Sequence, residues 1–198
     1  MIGISPLQFK HVDSNDKWYR RGEQNLEYRF GQVLNLQPDF VEFQTWNDAG
    51  ESHYMGNSWP EPTTGTNIGT YTTTYDHTGY QQVIPAFIRA WKAGDTTTST
   101  MYPSNGAIAQ SVFWHHTLLT NGSCTADSLG NPIGVETVEN KVTVNIPIFL
   151  LPSISLFIRK LAYINQAIVL VAAGHTTLSI SISSGGAVLG TIIKPWFQ

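Results

Sequence analysis

The chain has 198 residues, 41% of them apolar and 13% charged, with a formal net charge of −3. That balance excludes a disordered chain, which would be rich in charge and poor in apolar residues. It also gives no electrostatic ground for nucleic acid or an anionic membrane as a partner, and it suits a neutral ligand.

In chain order, Ile4 to Val12 reads as one strand with Leu7 and Phe9 on its apolar face, followed by a loop at Asp13-Ser14-Asn15-Asp16. Gly22-Glu23-Gln24 opens a helix whose apolar positions Leu26, Phe30, Val33 and Leu34 fall on one stripe. Acidic Glu23 and Glu27 suit the positive end of its dipole. Pro38 bars continuation, and Asp39 to Gln44 is the next strand.

That strand runs into Thr45-Trp46-Asn47-Asp48-Ala49-Gly50-Glu51-Ser52-His53-Tyr54, the most informative stretch of the chain. Two carboxylates, Asp48 and Glu51, stand among Trp46, His53, Tyr54 and, a little further on, Trp59. Acids with flat rings at the end of a strand are the usual materials of a sugar-cleaving site. On a regular strand, side chains an odd number of residues apart point to opposite faces. Both acids reach one cleft only if the chain leaves strand geometry between them, and Gly50 is the residue expected to permit that turn. An acidic turn that merely caps the next element accounts for the same residues. The sequence by itself leaves these two readings level.

Trp59 to Tyr75 is a Pro-, Gly- and Thr-rich loop, long enough to form a wall of the cleft. Its Trp59 and Tyr71 are either stacking rings or anchors for the loop. Asp76, better suited to capping than to substrate, introduces a second helix with Tyr80, Val83, Ile84, Phe87, Ile88 and Trp91 on one stripe. Pro85 kinks that helix or marks its real start, and Gly94 closes it. Ala109 to Leu119 reads as a further strand, with Phe113 and Trp114 near its middle. His115 and His116 are neighbours on it and face opposite ways, so they cannot share an ion; no metal and no cofactor are expected. The tail is β-rich: Val169 to Val171, then Thr176 to Ser183, a turn at Ser184-Gly185-Gly186, and Ala187 to Leu189.

Arg21-Gly22-Glu23, Gln37-Pro38-Asp39-Phe40-Val41-Glu42, the run from Trp46 to Tyr54, and Val112-Phe113-Trp114 together resemble the fungal α-1,3-glucanases (mutanases) of glycoside hydrolase family 71. The similarity extends from Ile4 to Leu119 and resumes from Val169 to Gly190. It implies an α/β fold: a (β/α)8 TIM-type barrel followed by a β-sandwich, with inverting cleavage of α-1,3-glucan. By the same resemblance Asp48 and Glu51 are the acid/base pair, while Trp46, Asn47, His53, Tyr54 and Trp59 bind substrate. The reading gives Glu51 the acid's part and Asp48 the base's, although the spacing itself leaves the roles open.

A barrel of this kind takes about 250 residues, so 198 are expected to hold a partial barrel, its C-terminal strands and helices only, and an incomplete β-rich segment. On this reading residues 1–120 are the barrel part and 121–145 a linker. Residues 146–166 are a stretch foreign to the family, with translated intron sequence as its source, and 167–198 are truncated sandwich strands. The apolar run Ile146 to Ile158 is thirteen residues long, too short to span a membrane, which needs about 20. No signal peptide is read at the start of the chain, whereas the intact parent is expected to be secreted or bound to the cell wall. Cys124, the only cysteine, is either a free thiol or paired outside this chain, and Asn121-Gly122-Ser123 is a glycosylation acceptor in the secretory pathway alone. Two functions follow: glucan hydrolysis in the intact parent, or an inactive fragment that at most binds glucan.

Overall fold

A computed structural model describes residues 1–20, 22, 24–72, 76–104, 106, 109–114 and 125–138. It also describes, as backbone strands, 143–145, 154–159, 166–171, 177–184 and 187–195. Arg21, Glu23, His115, His116, Leu119, Asn121 to Ser123 and Cys124 lie outside the described residues.

The chain opens with strands β1 (Ile2–Ile4), β2 (Gln8–His11) and β3 (Lys17–Arg20), helix α1 (Asn25–Leu36) and strand β4 (Val41–Phe43). The single strand expected over Ile4 to Val12 is two strands, broken at Ser5-Pro6-Leu7. Pro6 offers no N–H to a ladder, and the bend is packed so tightly that a Cβ on Gly22 would lie 2.9 Å from the Pro6 carbonyl oxygen. Asn25 Nδ2 donates to the Ser5 carbonyl oxygen at 2.6 Å and holds the bend to α1. Beyond it, β2 and β3 form an antiparallel hairpin, Gln8 opposite Arg20 and His11 opposite Lys17. Asp13 Oδ1 closes its turn by accepting from the backbone N–H groups of Asn15 and Asp16 at 2.8 and 2.9 Å.

Strands β1 and β4 are parallel neighbours in register Ile2–Val41 to Ile4–Phe43, joined by α1 as a β–α–β crossover. All four residues of the expected α1 stripe are buried. The helix stops at Gln37, which adopts a left-handed conformation (φ 45°) ahead of Pro38. After β4 come a short antiparallel pair, β5 (Asn47–Asp48) and β6 (His53–Tyr54), then α2 (Asn67–Thr72) and α3 (Ile84–Lys92). A 3₁₀ turn over Thr78–Gln82 precedes α3, and Pro85 lies in its first turn, where the missing N–H costs nothing. Gly94, at φ +79°, follows its end.

The core lies between α1, α3 and the parallel pair. Phe30 and Phe87 stack with centroids 4.4 Å apart, and Phe43 from β4 sets its edge against both. Ile4, Leu26, Val83 and Met101 complete the fully buried centre. Strand β7 (Ala109–Trp114) reaches this core through Val112.

The remaining strands are β8 (Thr143–Asn145), β9 (Ile154–Arg159), β10 (Gln166–Val171), β11 (Thr177–Ser184) and β12 (Ala187–Pro195). Among the described residues β7 is not a neighbour of β4. It pairs antiparallel with β10, which pairs parallel with β8. The hairpin expected in the tail is present as β11–β12, and β9, from within 146–166, is the parallel neighbour of β11. Residues 125–138 are tied to the first hairpin: Tyr19 N donates to Ile133 O at 2.7 Å, and His11 Nε2 meets Asp127 Oδ2 at 2.9 Å.

Candidate active site

The site is assembled at the C-terminal end of β4. Gln44 is bonded to the end of β1 through Ile4 O at 2.8 Å, and the Gln44–Thr45 peptide is cis. Thr45 is the knot that follows: its hydroxyl donates to His53 O and accepts from Asp48 N at 3.1 Å, and its carbonyl accepts from Met55 N at 2.8 Å. These bonds fold β5 back on β6 and place Asp48 directly across from His53.

Between them Ala49–Glu51 forms one 3₁₀ turn, and Asp48 Oδ1 accepts from Glu51 N at 3.3 Å. The capping reading of the acidic turn is thus visible, because Asp48 caps the turn that carries Glu51. The departure from strand geometry brings the side chains together, with one oxygen of Asp48, one of Glu51 and one ring nitrogen of His53 all within 4.8 Å of one another. The residue that makes the bend is not Gly50. Among the described non-glycine residues Ser52 takes the left-handed conformation here, at φ 49°, while Gly50 shows no positive φ. A Cβ on Gly50 would meet only Asp48 Oδ1 at 3.5 Å and Ile68 Cδ1 at 4.0 Å, ordinary contacts.

The expected binding residues divide. Trp59 is 70% exposed and Trp46 63%. Trp59, Asn47 and Asp48 line a cavity of about 220 Å³ together with Ser58, Pro62 and Thr63. His53 lines a second, more polar cavity of about 140 Å³ with Ser5, Gln8, Arg20, Asn25 and Gln44. Tyr54 turns inward: it is buried, its hydroxyl lies 2.9 Å from His77 Nε2, and burial pushes that hydroxyl up to about 12. Tyr71, half-buried, sets its ring edge against Phe9. Asp76 Oδ1 accepts from Thr78 N and Oγ1 at 2.9 and 2.7 Å, a local capping turn that holds its carboxyl below the usual range.

Two further side chains reach the site, one at His53 and one at Glu51, and sequence reasoning missed both. Gln8 and Lys10 share one face of β2. Gln8 Nε2 is 3.3 Å from His53 Nδ1, and Lys10 Nζ is 3.8 Å from Glu51 Oε1 and 2.7 Å from Asp16 Oδ2. The Asp16 contact holds the Lys10 ammonium above its ordinary range, with the charges of Glu51 and Asp48 adding to it. The alternation Gln8-Phe9-Lys10-His11 carried the signal, polar residues toward the acids and rings away from them. Two carboxylate oxygens and an imidazole nitrogen are also donors that a divalent cation accepts. The sequence reading, which set aside His115 and His116 and found no other His, Cys or Asp at metal-ligand spacing, did not foresee that grouping.

The chain matches Glycosyl hydrolase family 71 over residues 1–190. It belongs to that family. The family 71 chain is 30% identical over 141 residues to a glucan endo-1,3-alpha-glucosidase of Schizosaccharomyces pombe, a stretch covering 71% of this chain and 31% of that protein. It is 29% identical over 146 residues to a mutanase of Penicillium rubens, 73% of this chain and 31% of the relative. An ascus wall endo-1,3-alpha-glucanase of S. pombe is 27% identical over 149 residues, 73% of this chain and 33% of the relative. The chain therefore spans about a third of the length of the curated relatives it matches. No solved structure matches it. No helix among the described residues is long and apolar enough to cross a membrane.

Proposed function

We propose that this chain carries the acid pair of an enzyme that hydrolyses α-1,3-glucosidic bonds of fungal cell-wall glucan with inversion. The observation that carries hydrolysis, as distinct from its stereochemistry, is the meeting of Asp48 and Glu51 within 4.8 Å, beside a cavity walled by an exposed tryptophan. One acid protonates the departing glycosidic oxygen while the other takes a proton from the attacking water. Trp59 and Trp46 offer flat faces to the sugar rings, and Asn47 and His53 offer polar atoms to their hydroxyls. The strand–helix–strand unit β1–α1–β4 is one repeat of a (β/α)8 barrel, with its acids in the loop after a strand, where such barrels place catalytic groups. Residues 146–166 are an insertion, and the parent acts outside the cell or in the wall.

Inversion needs the two carboxyl groups roughly 6.5–9.5 Å apart, so that a water fits between the base and the anomeric carbon. Glu51 is the arm that opens the gap. Its side chain is 39% exposed and touches Lys10 only at 3.8 Å, whereas Asp48 is held to the turn it caps. The test follows the anomeric protons of the first sugars released from α-1,3-glucan by the parent enzyme. The β-anomer is expected first. Initial release of the α-anomer overturns inversion and leaves hydrolysis standing; glucan left intact overturns both.

A second reading is favoured by the sheet, because among the described residues β1 and β4 pair only with each other. Under it the 198-residue chain holds glucan without cleaving it. Incubating the purified chain with glucan and counting new reducing ends separates the two.

A further inference from the structure

The imidazole of His53 is enclosed, with 9% of its residue surface exposed, and its two nitrogens are used differently. Nδ1 faces Gln8 Nε2 at 3.3 Å. Nε2 is buried and has no protein partner. An amide nitrogen can only donate, so Nδ1 is the acceptor of that pair and the ring's proton sits on Nε2. One oxygen of each of two carboxylates lies within 4.8 Å of one of the ring's nitrogens, which puts the ring against the acid pair. A neutral imidazole whose Nδ1 accepts has one donor left, on a ring that lies against the acid pair.

We propose that Gln8 is a positioning residue that fixes the proton of His53 on Nε2, making His53 a hydrogen-bond donor into the site of Asp48 and Glu51. Resting on the hydrolase reading, the acceptor is a hydroxyl oxygen of the sugar bound beside the acids. Gln8 touches no substrate; it acts through the ring. Its backbone lies on β2, whose pairing with β3 sets how far the amide reaches. The hairpin that precedes α1 is thus part of the site's construction, although 45 residues separate Gln8 from His53.

The experiment uses the full chain with ¹⁵N-labelled histidine, read by long-range ¹H–¹⁵N correlation above the ordinary imidazole pKa. His53 is assigned among the six histidines by its disappearance in His53→Gln. The wild-type chain is expected to show the Nε2–H tautomer for His53. In Gln8→Glu a carboxylate faces Nδ1, and that nitrogen is expected to become protonated. In Gln8→Leu the single pattern is expected to give way to a mixture. An Nδ1–H wild-type ring overturns the proposal; it is also the pattern required if Nε2 ligates a cation, since the metal takes that lone pair. A Gln8→Leu spectrum identical to wild type overturns it as well. If Gln8→Leu does not fold, the wild-type and Gln8→Glu spectra still decide.

Titration with an α-1,3-linked glucose tetrasaccharide supplies the other arm. Gln8→Leu and Gln8→Glu are expected to weaken binding about tenfold. No binding by a wild-type chain that shows the Nε2–H tautomer sinks the glucan reading and leaves the role of Gln8 supported.

Discussion

Asp48 stands directly across the β5–β6 ladder from His53, and the same Asp48 caps the turn that carries Glu51. The carboxylate therefore has a structural duty besides the catalytic one proposed for it, and the two can be separated. Asn caps about as well as Asp, whereas Ala removes a cap at a cost of about 1 kcal/mol. Asp48→Asn is expected to unfold in urea near the wild-type midpoint and to abolish hydrolysis in the parent enzyme; Asp48→Ala is expected to lose both. Glu51→Gln, whose side chain caps nothing, is expected to lose hydrolysis alone. Full activity in Asp48→Asn reduces Asp48 to a structural cap.

The turn from β5 to β6 closes on Ser52, one residue past Glu51, and this makes an unusual prediction for the glycine within that turn. Gly50 adopts no positive φ, and a Cβ there meets only ordinary contacts. Gly50→Ala is thus expected to stabilise the chain by about 0.4–1 kcal/mol, through a less disordered unfolded state. Ser52→Gly relieves a left-handed side-chain residue and is expected to stabilise by roughly 1 kcal/mol. Gly134 is the control: at φ +94° an added Cβ would stand 2.3 Å from Tyr19 O, a backbone atom that cannot step aside. Gly134→Ala is expected to lower the melting temperature clearly. A melting temperature lowered by Gly50→Ala as much as by Gly134→Ala would contradict the assignment of the bend.

Periodic features were legible in the sequence because they follow from local physics. Leu26, Phe30, Val33 and Leu34 form the expected buried stripe, and Pro85 and Gly94 bound α3 by their backbone limits. The meeting of Asp48 and Glu51 was legible too, since only a turn between them could bring the two together. Less legible was anything decided by distant packing. Nothing near Pro6 in sequence announces that Gly22 and Asn25 will clamp the bend there, so the break between β1 and β2 was read through. With one strand assumed from Ile4 to Val12, Gln8 and Lys10 had no reason to reach residues 53 and 51. The left-handed residue was assigned to glycine on propensity. Instead the bonds of Thr45 to His53 and Met55 fix the ends of the turn and impose it on Ser52.

Trp59 and Tyr54, both aromatic and near the acids in sequence, are expected to behave oppositely on substitution. Trp59 projects into solvent beside Asp48, so Trp59→Ala removes a stacking face without opening the core. Its expected effect is a loss of oligosaccharide affinity on the order of 1.4 kcal/mol, about tenfold, with thermal stability unchanged. Tyr54 is buried with its hydroxyl on His77. Tyr54→Phe leaves the ring in place and the imidazole short of a partner, so stability is expected to fall while affinity for the oligosaccharide holds. Calorimetric titration and thermal melts on the two variants check the contrast.

His77 gives the fold a pH dependence whose direction can be worked out. Burial beneath Tyr54 penalises its charged form and lowers its pKa below the ordinary 6.5, opposed in part by the Thr72 carbonyl and by Asp76. In the window between the folded value and 6.5 the unfolded chain binds more protons than the folded one, so stability rises with pH there. This contribution is complete above 6.5 and is lost as pH falls through the folded value. Asp127, held below 3.8 by the Leu129 N–H and by His11, acts in the same direction but in a separate, more acidic window. Melting temperature is therefore expected to decline on acidification from just below neutrality. His77→Gln, which keeps a polar partner for Tyr54 but does not titrate, is expected to flatten the upper part of that decline and leave the acidic part in place. An unchanged profile in His77→Gln would assign the upper slope to another histidine.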